Sequence, residues 1–301
     1  MPAAPPGAKP PPTFSALFSI GPVQENLFSS LTRVELVLLV RTLNRECKEW
    51  VDAELQHVGY TMRPVDMPQR VPLLRRFVQI EGARVVLPAA TYELTIVNGG
   101  TLQIAAGVTL VGQEGVLLSG ENRRLQVASE GVRFESLHLP QGVGIRSGSL
   151  TMAKCTSTGQ AIDAGASLVI EDSRVFGVRG FGMNCSGEVK ATRCTFEDNG
   201  FSGTLVSGKQ ASAELVDCVI RKNGWEGLLM NGGKAMLRGG TISENSLNAG
   251  VYAGSGGKVT VAKAEEAQPQ TVCKDNNGHD WWTVGEGSEI IGIPQEKIHR
   301  A

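Results

Sequence analysis

One short pattern, returning between Leu150 and Val261, restricts the possible folds of this chain more than any other feature. Written apolar-x-apolar-x-x-small-x-apolar, it reads Leu150-Met152-Cys155, Leu168-Ile170-Ser173-Val175, Val189-Ala191-Cys194-Phe196, Ala213-Leu215-Cys218-Ile220 and Ala235-Leu237-Gly240-Ile242. The small residues lie 18, 21, 24 and 22 positions apart. Asn199, Asn223 and Asn245 each follow a small residue by five positions, and Gly203, Gly227 or Gly250 then opens a further apolar stretch. Each repeat thus holds about three short strands joined by sharp corners, and such units must stack because none buries its apolar face alone.

The residue before each small position falls at a corner facing solvent. It reads Glu135, Lys154, Asp172, Arg193, Asp217, Gly239 and Lys263 along the chain, and its charge alternates over the first five. Equivalent residues of stacked parallel rungs lie ~4.8 Å apart, so alternation favours in-register stacking and like charges would oppose it. The asparagines form a second expected column, with Gln160 before them and Asn277 after, whose amides satisfy turn backbone. Cys155, Cys194 and Cys218 occupy one repeat position and read as small buried side chains. The six cysteines show no CxxC pair, which points to a reducing compartment and away from a metal or redox site.

Composition agrees with many tight corners: 37 glycines and only 5% aromatic residues. A net charge of -1 provides no global attraction to nucleic acid or an anionic membrane, and no apolar run reaches the ~18 residues that cross a bilayer. Residues 1–13 read as a disordered Pro-rich tail without a secretory signal, so the expected location is cytoplasmic or nuclear. Residues 14–59 read as helical, with Leu36, Val40, Leu43, Cys47, Val51 and Leu55 at three- and four-residue spacing. Pro64, Pro68 and Pro72 make 60–77 an expected extended linker, 78–292 the repeat domain and 293–301 a tail. Glu265 to Gln270 reads as a loop thrown out from one corner, and Trp281 with Trp282 as a stopper at the end of the core.

Two resemblances sharpen this reading. Val85 to Leu94, Leu102-Gln103-Ile104 and Gly107 to Gly112 closely resemble the entry of right-handed parallel β-helices of the pectin-lyase type, with Ala90 where that family usually has glycine. The expected fold is therefore all-β, a right-handed parallel β-helix solenoid carrying an N-terminal helical cap or F-box-like segment. Pro22, Leu27 to Leu31, Glu35-Leu36 and the basic helix ending at Asn44 to Val51 resemble an F-box. That likeness implies that Leu27, Phe28, Leu31, Leu36 and Leu39 contact a Skp1-like adaptor, while the solenoid holds a protein client for ubiquitylation.

Enzymes with the pectin-lyase fold act on the outer face of one long sheet, so the strands after Gly182, Gly203, Gly227 and Gly250 are the place to look. Their outward residues read as Asn184, Leu205, Leu229 and Tyr252, continued by Ile162 toward the N-terminus. A lyase needs a base in a basic or metal-bound acidic cluster, and an inverting hydrolase needs carboxyls ~6.5–9.5 Å apart. This column offers neither, so no catalytic residue, cofactor or metal is expected. The sequence favours a non-enzymatic binding scaffold; the alternatives are a carbohydrate-active protein with a polysaccharide ligand and a structural solenoid of unassigned partner.

Overall fold

A computed structural model describes residues 60–61, 70–93, 104–119, 125–158, 162–262 and 270–300, with five further helical positions, Arg41, Arg45, Lys48, Glu49 and Asp52. Arg41 donates to Asp52 at 2.5 and 3.2 Å, and Arg45 to Glu49 at 2.7 Å. The rest of the expected helical segment, including Leu27, Phe28, Leu31, Leu36 and Leu39, lies outside the described residues.

Among the described residues three parallel sheets of eleven, nine and nine strands make up the body, and each turn from Thr109 to Thr283 adds one strand to each sheet. One turn reads Glu188–Thr192 in the first sheet, Thr195–Glu197 in the second and Thr204–Ser207 in the third, after which Ser212–Val216 returns beside Glu188–Thr192. Alternation does the sorting: Val189, Ala191, Phe196 and Val206 point inward and are buried, as are their counterparts on neighbouring rungs. The core is therefore one continuous apolar column.

The corner between first and second strands is turned by a single left-handed residue: Lys154 (φ 53°), Asp172 (φ 48°), Arg193 (φ 52°) or Asp217 (φ 51°). Their N–H groups donate to the next rung at 2.8–3.0 Å. The small residue that follows has a bonding role. Ser173 Oγ donates to Glu171 O at 2.6 Å, and the thiols of Cys155, Cys194 and Cys218 make the same bond to the carbonyl two residues back at 3.3–3.4 Å. A short side chain with a donor is thus selected at this column, beyond the need for small volume. The alternating charges meet where Arg193 holds Asp172 through two bonds of 2.6 and 2.9 Å. Register pairs Ala153 with Glu135, so Ser136 (φ 55°), one residue beyond the expected Glu135, begins this column.

Asparagines line the next corner from inside. Asn199 donates its N–H and Nδ2 to Asn223 Oδ1 (3.2 and 2.9 Å), and Asn223 does the same to Asn245 Oδ1 (3.2 and 2.9 Å). Asn245 continues to Asn276 at 3.2 and 2.8 Å, which corrects the expected Asn277. The reason is that Thr271, buried and bonded to Gly239 O at 2.8 Å, holds the small-residue position in that rung, whereas Cys273 is a strand residue opposite Ile242. Gln160 falls outside the described residues, as do Lys263 to Pro269 of the expected loop.

Both ends differ from the sequence expectation. Tyr60–Thr61 pairs with Val85–Val86 as the edge of the first sheet, and a helix, Arg70–Phe77, follows; the described parts of the stretch expected as an extended linker already belong to the solenoid. Leu74 and Phe77 are buried, and Phe77 stacks on Tyr60 at 4.9 Å, so this helix serves the N-terminal end of the core. At the other end Ile298–Arg300 is a strand of the third sheet, in the stretch expected as a tail. Trp281, 4% exposed, helps fill the end of the core with Ile290, Ile293 and Ile298, but Trp282 faces outward.

Asn223 is the middle of the asparagine column, and its Nδ2 also reaches Phe196 O at 3.2 Å. Replacing it by alanine strands buried donors and acceptors on two rungs, so Asn223→Ala is expected to lower stability by at least about 2 kcal/mol, read as a fall in the urea midpoint.

Candidate functional site on the outer face of the third sheet

Strand pairing places Asn184 beside Leu205, Leu205 beside Leu229, and Leu229 beside Tyr252. The four residues expected to share one outward column do so, each half-buried between buried neighbours. Their glycine neighbours explain the register. A Cβ on Gly203 would lie 2.5 Å from Ile220 Cγ2 and 2.7 Å from Asn223 Nδ2, so only glycine lets the third strand start against the asparagine column. Toward the N-terminus the column continues with Asp163, since Ile162 pairs with Met183 at an inward position; the expected Ile162 is one residue out. Toward the C-terminus it gains Trp282 and His299. The face is polar at Asn184 and apolar from Leu205 onward.

Aromatic rings extend the apolar part. Tyr252 meets Trp282 edge to face at 5.4 Å, and Trp282 meets His279 and His299 at 5.6 and 5.7 Å. At the corner leading into the same sheet, Phe201 stacks on Trp225 at 4.4 Å and 20°, and Phe181 closes against both. Phe201 and Trp225 remain 38% and 37% exposed. This second cluster was missed in the sequence, although its signal was there: the three rings stand one or two residues before Gly182, Gly203 and Gly227. Beside Trp225, the buried Glu226 carboxylate accepts from Ser202 Oγ at 3.0 Å and Asn248 Nδ2 at 3.1 Å, two bonds that hold it in place.

The most buried ion-paired carboxylate among the described residues lies on the second sheet. Glu197, buried, accepts from Arg174 Nε at 2.5 Å and Arg221 Nε at 2.8 Å, on the rungs before and after. Burial alone would raise its pKa, but the Arg221 and Arg174 guanidiniums outweigh that and hold the carboxyl below its usual range. Among the described residues no group of three His, Cys, Asp or Glu side chains could hold a metal. Burial pushes the thiols of Cys155 and Cys185 up to about 11. A hydrogen bond with Cys218 and burial raise Cys194 as well. These thiols stay protonated and unreactive at neutral pH.

The raised thiols give a pH dependence of definite sign. Between about pH 9 and 11 the unfolded chain releases protons that folded Cys155 and Cys185 retain, so stability is full below that window and falls as pH rises through it. Denaturation midpoints across this range check it, and Cys185→Ser is expected to flatten the slope.

A comparison with curated proteins finds no match. Among solved structures, a crystal structure of the pectate lyase Pel9A is similar over 66% of this chain and 69% of that one, with 12% identity and a TM-score of 0.48. Residues 179–265 match the family model described as "Right handed beta helix region". With its strands stacked rung on rung in three parallel sheets, the chain is a right-handed parallel β-helix.

Proposed function

We propose that the chain is a non-catalytic binding scaffold that docks a protein client on the outer face of its third sheet. One observation carries this reading: Leu205, Leu229, Tyr252 and Trp282 stand side by side on consecutive rungs, flanked by the exposed Phe201–Trp225 stack. A rigid apolar strip of this kind, rimmed by polar residues, suits protein association. Phe201 and Trp225 stack on each other, which covers one face of each ring, and the aliphatic Leu205 and Leu229 beside them favour an apolar protein surface as the ligand.

The F-box-like pattern at Pro22, Leu27 to Leu31 and Glu35-Leu36 supports the finer form of the reading, in which a Skp1-like adaptor binds residues 14–59 and the solenoid presents the client for ubiquitylation. Mixing the full chain with such an adaptor tests it, with Leu31→Glu and Leu36→Glu expected to abolish complex formation on gel filtration.

The client face is tested separately by a photo-crosslinking residue placed at position 229 or 225, with position 190 on the first sheet as control. Protein crosslinks are expected at the first two; equal yield at all three sinks the reading, and glycan crosslinks favour the carbohydrate alternative. The double change Leu205→Glu with Leu229→Lys, which sets opposite charges on adjacent rungs, is expected to weaken client binding by roughly tenfold or more while leaving the unfolding midpoint little changed, because both side chains point out of the core.

A further inference from the structure

The last turn of the coil skips one sheet. The first sheet ends at Glu289–Ile291 and the third at Ile298–Arg300, but the second ends a rung earlier, at Val272–Lys274. In register, Glu289 corresponds to Lys258, Lys234, Ser212 and Glu188. Arg193 turns the corner five residues after Glu188; Gly292 (φ 91°) turns it only three after Glu289. From there Ile293, Pro294 and the 3-10 helix Gln295–Lys297 carry the chain straight to the third sheet. Among the described residues the place of one second-sheet strand is a groove of about 790 Å³, lined by Val272 and Cys273 on the strand side, by Ile293, Pro294 and Lys297 of the bypass, and by Trp281.

This groove has the chemistry of a strand position. In a parallel ladder alternate residues turn both backbone groups to the same neighbour. Val272 N–H bonds Gly240 O at 3.0 Å, so the N–H and carbonyl of Cys273 face the groove, where no described residue pairs with them. Side-chain requirements follow from the columns. The middle residue of each second-sheet strand points inward, as Val175, Phe196, Ile220 and Ile242 do, so a strand added here needs an apolar residue over Cys273, Trp281 and Ile293. Its first residue would lie beside Val272, 46% exposed, which suits a β-branched side chain. Its third would lie beside Lys274, with Lys297 across the groove. The molecule shows in this same outward column how such a place is filled: Glu197 is held by cations on either side. Lys297 has no ion pair among the described residues, and Lys274 has only an exposed contact with Asp275 at 3.6 Å.

We propose that the second-sheet edge at Val272–Lys274 binds an extended segment of a partner protein as an added parallel strand, with a β-branched residue, a large apolar residue and an acidic residue in succession. The main chain supplies affinity and the alternating side chains supply selectivity. The site is separate from the third-sheet face, and either can fail without the other.

A fluorescein-labelled peptide of sequence Ser-Thr-Val-Ile-Glu-Thr-Gly, titrated against the full chain by fluorescence anisotropy, tests the proposal. Saturable binding well below about 1 mM is expected. Methylating the glutamate amide, whose N–H meets the Cys273 carbonyl, should weaken binding roughly tenfold, whereas methylating the isoleucine amide, which faces away, should change it little. Lys274→Glu should lose the glutamate peptide and gain its lysine counterpart, a swap that a misfolded variant could not give. Hydrogen exchange should show new protection at the Cys273 amide. No binding by 1 mM, equal binding of the two methylated peptides, binding of the reversed sequence with equal strength, or protection at this edge from a second copy of the chain without peptide would each overturn it.

Discussion

In-register parallel stacking is the constraint on which everything else in this molecule depends. No rung satisfies its own polar groups. The N–H of each corner residue finds its acceptor one rung on, and each asparagine completes the turn of the rung before it. A slip of one residue would turn every inward side chain outward and break both columns at once. The register is therefore fixed by many small, mutually dependent bonds, and the apolar core is their shared beneficiary. Buried amides in a row are costly when incomplete and rigid when complete, which accounts for the asparagine column surviving an insertion as long as the one between Ala262 and Gln270.

That rigidity bears on the docking role proposed for the third-sheet face. Leu205, Leu229 and Tyr252 are held by pairing on both sides, so the partner proposed above would meet a surface already ordered and lose little to immobilising it. The open second-sheet edge is a different kind of surface, offering main chain rather than side chains. A parallel solenoid ordinarily hides such edges, and here the bypass by Gly292 to Lys297 covers the end of the core while no described residue takes the strand position beside it.

Much of the fold was legible because periodicity carries it. The inward positions, the buried cysteines, the alternating corner charges and the outward Asn184-Leu205-Leu229-Tyr252 column all came from counting along repeats of nearly constant length. Errors arose where the count lost its anchor. The small-residue position of the last complete rung is held by Thr271, which no cysteine marks, so the asparagine five residues on is Asn276 and not the expected Asn277. Ile162 matches its neighbours Leu205 and Leu229 in type, but pairing is set by the backbone and puts Asp163 beside Asn184. The helix Arg70–Phe77 was obscured by Pro68 and Pro72, although a proline in a first turn loses no helical bond. The aromatic cluster at Phe181, Phe201 and Trp225 has no fixed spacing, since its rings come from two adjacent positions, and only the folded corner brings them together.

Glu197 has one more consequence, and it concerns mechanical load. Because the rungs are joined only to their neighbours, tension applied to the C-terminus peels the solenoid from that end, one turn at a time. Most turns yield by breaking a few bonds of similar strength. At Glu197 a single buried carboxylate ties its own turn to those carrying Arg174 and Arg221, so the unravelling front meets a staple spanning three turns. Such a protein gives way in steps rather than smoothly, and its sturdiest segment lies near the middle of the coil rather than at a terminus.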